Sequence, residues 1–408
     1  MSPTESIPVL AGLRVIEFSA FVAAPSAGLT LAQLGADVVR VDPLGGNIDT
    51  RRLPLNAEGR SLYWAALNRG KRSVELDVRG AAGRALMQDL ICAPHAGPPV
   101  FLTNLAVDGE LSYEALSKRR PDLIMLQLSG SPDGSSALDY TVNNAVGFPD
   151  ITGDARSGPV NHVLPAWDIA AGLSLVIAAL AAERHWRATG RGQHVKLALS
   201  DVAMAAVCNL AYIADAQVNG AERKPDGNYL YGAYGDAFAT KDARRVMVVA
   251  ITQRQWDALM RATGVVQALQ LAAVALGHKL DSEAGRYEAR DLISAFLRPW
   301  FAARTLAELH GALGDCSIIW GPYRSVQQML VEDPRCSEAN PMFKMLDHPG
   351  VGRFLTSRSP LHFGGAAQVA PGLAPALGQD TVQVLRERLG WDDARLREAQ
   401  TQGAIRLP

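Results

Sequence analysis

The sequence predicts an α/β protein whose main part is a mostly parallel sheet covered by helices on both faces, followed by a second, smaller domain. Three observations carry this. From Leu13 to Leu128, short β-branched runs alternate with stretches of helical periodicity. The first strand leads through a turn of small residues straight into a helix and a second strand, a βαβ unit of minimal length. Between Ala221 and Tyr234 the apolar periodicity lapses into a Gly/Tyr/Asn-rich passage that reads as a link to another domain.

Taken in order, Leu13 to Phe18 (LRVIEF) suits a buried strand, and SAFVAAPS is the turn that follows it. A helix is expected from near Pro25, with Leu29, Leu31 and Leu34 on its apolar side and Gly35 as its stop signal. Ala36 to Val41 is the next strand. Strands are expected again at Ser73–Leu76, Val100–Thr103 and Leu123–Leu128, with helices at Gly83–Ile91 and Tyr113–Arg119 between them. Ser129 to Pro165 reads as loop. A strongly apolar helix is expected from Ile169 to about Arg187, closed by Gly190, and HVKLALSD supplies another strand. Beyond the link lie a strand at Arg245–Ile251, helical periodicity through Trp256, Leu259 and Met260, and a helix at Arg290–Phe301. The tail offers a strand near Gly352–Leu355, a Pro-rich connection, and an amphipathic helix from Asp380 to Leu389.

Composition narrows the function classes. The 408 residues carry 40 Lys+Arg against 41 Asp+Glu, a formal net charge of -1, which argues against a dedicated nucleic-acid binder. Cys92, Cys208, Cys316 and Cys336 are scattered without a CxxC pair, as free thiols of a reducing compartment are. MSPTESIPVL has no basic region followed by an apolar run. The longest nearly uncharged stretch, Ile169 to Ala182, covers 14 residues, short of the roughly 20 that a membrane span needs. The expectation is a cytoplasmic enzyme with neither membrane nor nucleic-acid partner.

The chemistry must then come from individual residues. A doubly wound sheet invites a dinucleotide, but the first turn is SAFVAAPSAG rather than GxGxxG, so Asp42 after the second strand is a weak ribose signal. No P-loop, GxSxG elbow, HxxxH or HxH occurs, and no metal site is expected. Ala23 and Ala24 either pack or let a ligand approach a helix N-terminus whose free N–H groups favour an anion. Arg40, Arg51, Arg52, Arg69, Lys71 and Arg72 cluster around the second and third strands. With Asn68 and Asn104 as neutral partners they fit either a ligand with several phosphates or a solvated face. Asp168 opens an otherwise apolar helix in NHVLPAWDIAAGLSLVIAALAAE. Two readings fit it: a helix cap, or a nucleophile shielded from water by Trp167.

Over nearly its whole length the chain resembles the class III CoA-transferases, the group that includes formyl-CoA transferase and is related to α-methylacyl-CoA racemase. The resemblance rests on LAGLRVIEFSAFVAAP, AQLGADVVRVDP, LNRGKRSVELDV, the Asp168 segment, TGRGQHVKLALSD, WGPYRSVQQMLVEDP and PALGQDTVQVLRERLG, in that order. It implies a Rossmann-like large domain built from both chain ends (1–220 and 329–408), a smaller α+β domain (221–328) and an interlocked homodimer. It also implies that Asp168 is the nucleophile that takes CoA as an aspartyl thioester. CoA then arrives as part of the acyl-CoA substrate, with no permanently bound cofactor. By the same resemblance Val22, Ala23, Arg40, Asn68, Lys71, Arg72, Asn104 and Leu105 bind CoA, with Arg40, Lys71 and Arg72 on its phosphates. Racemases pair the aspartate with a His whose aligned place here is Leu138. Within the family, SAFVAAP, LNRGKRS, VNHVLPAWDI, GNYLYGA and RVMVV with QW downstream look most like the branch that moves CoA between the two carboxyls of one mesaconate. Phe21, His162, Tyr229 and Tyr231 are the candidates for the acyl part; each also fits a packed core position. Transfer to a second acid, racemisation and simple CoA-ester binding are the alternatives.

Overall fold

The computed structural model describes residues 7–314 and 317–407. The chain forms two compact units. The first takes the residues up to Val146, Val163–Ala221 and those from Pro334 onward; the second takes Gly147–His162 and Glu222–Asp333.

The first unit holds a six-stranded sheet made of β1 (Arg14–Phe18), β2 (Asp37–Pro43), β3 (Arg72–Leu76), β4 (Val100–Thr103), β5 (Ile124–Ser129) and β6 (Gln193–Ala198). Its order is β3-β2-β1-β4-β5-β6 and every neighbouring pair is parallel. Parallel strands are buried on both faces, which is why they read as continuous β-branched runs rather than alternating ones. Ile16, Phe18, Val39, Val41, Val74, Leu76 and Phe101 form one core with Leu86, Met87, Leu90 and Ile91 of the helix Ala81–Ile91. Val384 and Leu385 of the C-terminal helix Thr381–Leu389 join that core. The chain end also guards the sheet's edge: Ser73 N donates to Asp380 Oδ2 (2.8 Å) and Glu75 N to Thr381 Oγ1 (3.1 Å), so β3 does not present free donors.

The helix Ala166–Thr189 is longer than its sequence signal, because Thr189 and the left-handed Gly190 continue the turn past the charged residues. Among the described residues it is the one single helix long and apolar enough to cross a membrane, where the 14 uncharged residues alone fell short. Two bent helix pairs also pass that test of length and composition. Trp167, Ala171, Gly172, Leu175, Val176, Ala179 and Ala182 nevertheless form a buried stripe along it. The segment read as loop, 129–165, contains the helices Asp139–Ala145 and Phe148–Ile151. The first was invisible to apolar periodicity because two of its three buried residues are Asp139 and Asn143.

The second unit is built on an antiparallel sheet of β7 (Tyr234–Ala239), β8 (Arg245–Ala250) and β9 (Ile319–Pro322) in that order. Tyr234, Phe238, Val246 and Val248 pack against Trp256, Leu259, Ile293, Leu297 and Phe301 of its helices. Only β8 was legible in the sequence. In β7 the inward position between Tyr234 and Phe238 is Asp236, whose buried carboxylate accepts from Ser294 Oγ at 2.7 Å. The hairpin β10 (Phe343–His348) and β11 (Gly352–Ser357) returns to the first unit. Cys92, Cys208 and Cys336 are free thiols; Cys316 lies outside the described residues.

Candidate functional site

The strand order reverses between β1 and β4, and in such sheets ligands bind outside the carboxyl ends of the strands at that point. Phe18 pairs with Thr103 there, so the turn after β1 and the loop after β4 leave side by side. They are tied together. Ala20 N donates to Asn104 Oδ1 (2.9 Å) and Asn104 Nδ2 donates back to Ala20 O (2.8 Å). The next residue, Phe21, adopts φ +65°, the left-handed region that costs a bulky side chain about 1–3 kcal/mol. Its N–H donates to both carboxylate oxygens of Asp49 at 3.0 Å, which holds the turn in place. The helix Ala23–Gln33 starts directly afterwards, and Val22 at its cap offers no side-chain acceptor.

Asp168 approaches from the other side, as the third residue of the helix Ala166–Thr189. It is not the cap. Asp139 Oδ2, from a neighbouring helix, accepts from the backbone N of Trp167 (2.8 Å) and of Asp168 (3.0 Å). Trp167 Nε1 donates to Asn143 Oδ1 at 3.0 Å. The capping work is thus done by Asp139, and the Asp168 carboxylate takes no part in it. Burial, and secondarily the charge of Asp139, push its pKa up to about 6 against the opposing pull of Arg52.

A cavity of about 650 Å³ brings Asp168 together with Phe21, Val22, Ala23, Asn104 and Leu105. Sequence reasoning had paired all six. It missed Tyr63 and Asp139, for which no motif exists, and counted Arg52 only as one of a basic cluster. Leu138, at the cap of its helix, also lines the cavity and is more than half exposed.

The expected phosphate cluster is corrected. Arg40, Asn68 and Lys71 do not surround an open mouth; all three are buried. Arg40 donates to Asp42 (2.9 Å), and reaches Glu17 (3.2 Å) and Asp49 (3.3 Å), while Lys71 Nζ lies 2.8 Å from Glu17. Asn68 Oδ1 accepts from both cations. Asp42 is likewise committed to this network and unavailable to a ribose. Burial, against the pull of Glu17, lowers the Lys71 pKa to about 8. Arg72 stands at the amino end of β3, opposite the strand ends that form the site, where it pairs with Asp37 and Glu387. His162, Tyr229 and Tyr231 belong to the second unit. There Tyr229 Oη donates to Asp291 (2.7 Å), and Tyr231 packs edge-on to Tyr287 and under Arg223. Among the described residues no three His, Cys, Asp or Glu side chains gather as a metal site.

Comparison with known proteins places this geometry. The family model described as CoA-transferase family III matches residues 10–381. The chain is 48% identical over 404 residues to the 2-methylfumaryl-CoA isomerase of Chloroflexus aurantiacus, covering 98% of each protein. It is 36% identical over 218 residues to the succinate–glutarate CoA-transferase of Agrobacterium fabrum, covering 50% of this chain and 54% of that one. Among solved structures it resembles a CAIB/BAIF family protein from Brucella suis, with a TM-score of 0.76 and 26% identity over 94% of this chain and all of the other.

Proposed function

The chain belongs to CoA-transferase family III, and from that premise we propose that it moves CoA between the two carboxyl groups of 2-methylfumarate (mesaconate), converting 2-methylfumaryl-CoA to 3-methylfumaryl-CoA. The observation that carries this is an aspartate relieved of helix capping by Asp139 and opening on the cavity at the sheet's switch point.

An Asp168 oxygen attacks the thioester carbonyl; the C–S bond breaks, giving an acyl–aspartyl anhydride and CoA thiolate. The thiolate attacks the aspartyl carbonyl, the anhydride C–O bond breaks, and the product pair is an aspartyl-CoA thioester with a free dicarboxylate. The other carboxylate of that acid then runs both steps in reverse. No proton is gained or lost, and the cycle needs no base. Phe21, Val22 and Ala23 form the backbone rim against which the tetrahedral oxyanion develops, with the uncapped helix start as the donor source. Asn104 holds that rim and Leu105 walls the thiol end. Arg40, Asn68 and Lys71 support the turn through Asp49 and Glu17. The phosphates of CoA fall to Arg51 and Arg79, exposed cations on an adjoining cavity of about 770 Å³ that shares Phe21 and Arg52 with the first. Racemisation is disfavoured because Leu138 stands where a base is required.

The test is incubation with 2-methylfumaryl-CoA and separation of the two regioisomers, with intact-mass detection of a CoA-sized adduct on the Asp168 peptide. Isotopically labelled free 2-methylfumarate is added in excess. Isomerisation without label in the thioester is expected; label entering as fast as isomerisation would move the assignment to intermolecular transfer, and an Asp168→Ala variant with wild-type turnover would sink the covalent route.

A further inference from the structure

Two residues that line the cavity each carry a buried polar atom without a protein partner. Arg52 Nη1 and Tyr63 Oη are both buried from solvent and make no hydrogen bond. They belong to one unit of structure, since the Arg52 guanidinium lies 4.6 Å from the Tyr63 ring centre and 5.4 Å from that of Phe21. Buried donors without acceptors are costly, and a native protein that leaves two side by side in a substrate cavity has prepared them for a ligand.

Their setting is specific. The backbone of Arg52 is pinned at both ends, its N donating to Asp49 O (3.3 Å) and its O accepting from Ser61 Oγ (2.6 Å). Of the residues lining the cavity, Arg52 is the one Lys or Arg, facing two carboxylates, Asp139 and Asp168. None of the ion pairs among the described residues involves it. Tyr63 keeps its proton across the working range, since burial pushes its pKa up to about 12, so its hydroxyl is a donor too.

We propose that Arg52 and Tyr63 hold the carboxylate of the substrate that is not bonded to CoA, and so select dicarboxylic acyl groups. This rests on the covalent reading of Asp168. A dianionic acid freed while Asp168 carries CoA as a neutral thioester would otherwise share the cavity with the Asp139 carboxylate and no cation. Guanidinium and phenol together offer donors to a planar carboxylate, and the Tyr63 and Phe21 rings that the guanidinium lies over fix its direction. Either end of the acid fits these donors in turn, which is what exchange of the two carboxyls needs.

The test compares two thioesters that differ by one carboxylate, 2-methylfumaryl-CoA and 2-methylacryloyl-CoA. The readout is the single-turnover rate of CoA-adduct formation on Asp168, followed by intact mass. Arg52→Gln should slow the reaction of the diacid by about 100-fold at subsaturating substrate and that of the monoacid by less than about tenfold, since charge-assisted hydrogen bonds to only one of them are lost. Tyr63→Phe should cost the diacid about tenfold, and Arg52→Lys should recover part of the Gln defect. Equal losses on both thioesters overturn the proposal, because Arg52 would then serve CoA, Asp168 or the fold. A wild type that forms no adduct from either thioester defeats the covalent reading instead. In that event the anchor is read by thermal protection: preference for the diacid thioester, abolished by Arg52→Gln, supports it, and no preference in the wild type overturns it.

Discussion

Asp168 sits where its own ionisation is opposed, by burial and by Asp139, and that opposition is a stability cost borne for function. Its folded pKa of about 6 lies above the unfolded value, so the native state binds more protons between roughly pH 4 and 6, and stability falls as pH rises through that window. Asp168→Asn removes the cost. At pH 7 the variant should be more stable than wild type by about 1–2 kcal/mol after screening, and denaturant titrations should show the gain vanishing as pH falls below about 4, where the Asp168 carboxyl is protonated in the folded and unfolded states alike. Turnover should meanwhile fall by at least about three orders of magnitude. In the wild type the acid limb of kcat/KM should turn near pH 6, and Asp139→Asn, whose amide oxygen still accepts from the helix N–H groups, should move that limb to lower pH; an unmoved limb would show that Asp139 does not set it. The position of Asp168 stood out in sequence as an acidic residue heading an apolar helix, a pattern that fits a cap as well as a nucleophile, and the structure gives the capping to Asp139. The partners of Arg40 and Lys71 were not legible in sequence. A basic cluster looks the same whether it faces solvent or, as here, Glu17, Asp42 and Asp49, which lie on other strands and turns and converge only in the fold.

The two elements that carry the site, the helices Ala23–Gln33 and Ala166–Thr189, are in close contact, and small residues make that contact possible. Gly172 is the tightest point. A Cβ there would lie 2.2 Å from Ser26 Oγ and 2.8 Å from Ala23 O, and the second of these is backbone that cannot rotate away. Gly172→Ala should therefore destabilise the protein by about 2 kcal/mol, despite the better helix propensity of Ala, and should lower kcat/KM by moving the turn at Phe21 relative to Asp168. Ser26→Ala in the same chain removes one of the two collisions and should recover only part of the melting temperature. Full recovery would mean that the backbone approach is not limiting. The elements read correctly from sequence are those whose buried face is apolar, such as Val100–Thr103 and Tyr113–Arg119. The helix Asp139–Ala145 escaped because its inward residues are the polar groups that cap and fix the Asp168 helix. Functional placement and hydrophobic patterning thus compete for the same positions, and the site's supports are the elements hardest to see.

On the scale of the whole molecule, one group of the apolar side chains that the single chain leaves uncovered falls on the Asp168 helix and the helices that follow it. Ile169, Leu173, Ile177 and Leu180 form a second stripe along the Asp168 helix, on the side away from its buried residues, and Ile177 is 67% exposed. Met204, Leu210, Ile213 and Val218 are exposed on the two helices that follow and the turn between them. Such a patch on a chain of nearly zero net charge favours association of like copies, since little long-range repulsion opposes it. The same apolar composition gives this helix its membrane-like hydropathy, and a second copy of the chain would cover it without lipid. We therefore expect a homodimer, interlocked as the family resemblance implies. Leu173→Glu with Ile177→Glu changes side chains that the lone chain exposes, so in a monomeric protein it should cost under about 1 kcal/mol. In a dimer it places four charges in an interface core. Light scattering at micromolar concentration should give twice the chain mass for wild type, persisting on dilution if the chains interlock, and monomer or aggregate for the double variant. A wild type that scatters as a single chain would remove the dimer from the account and leave the stripe unexplained.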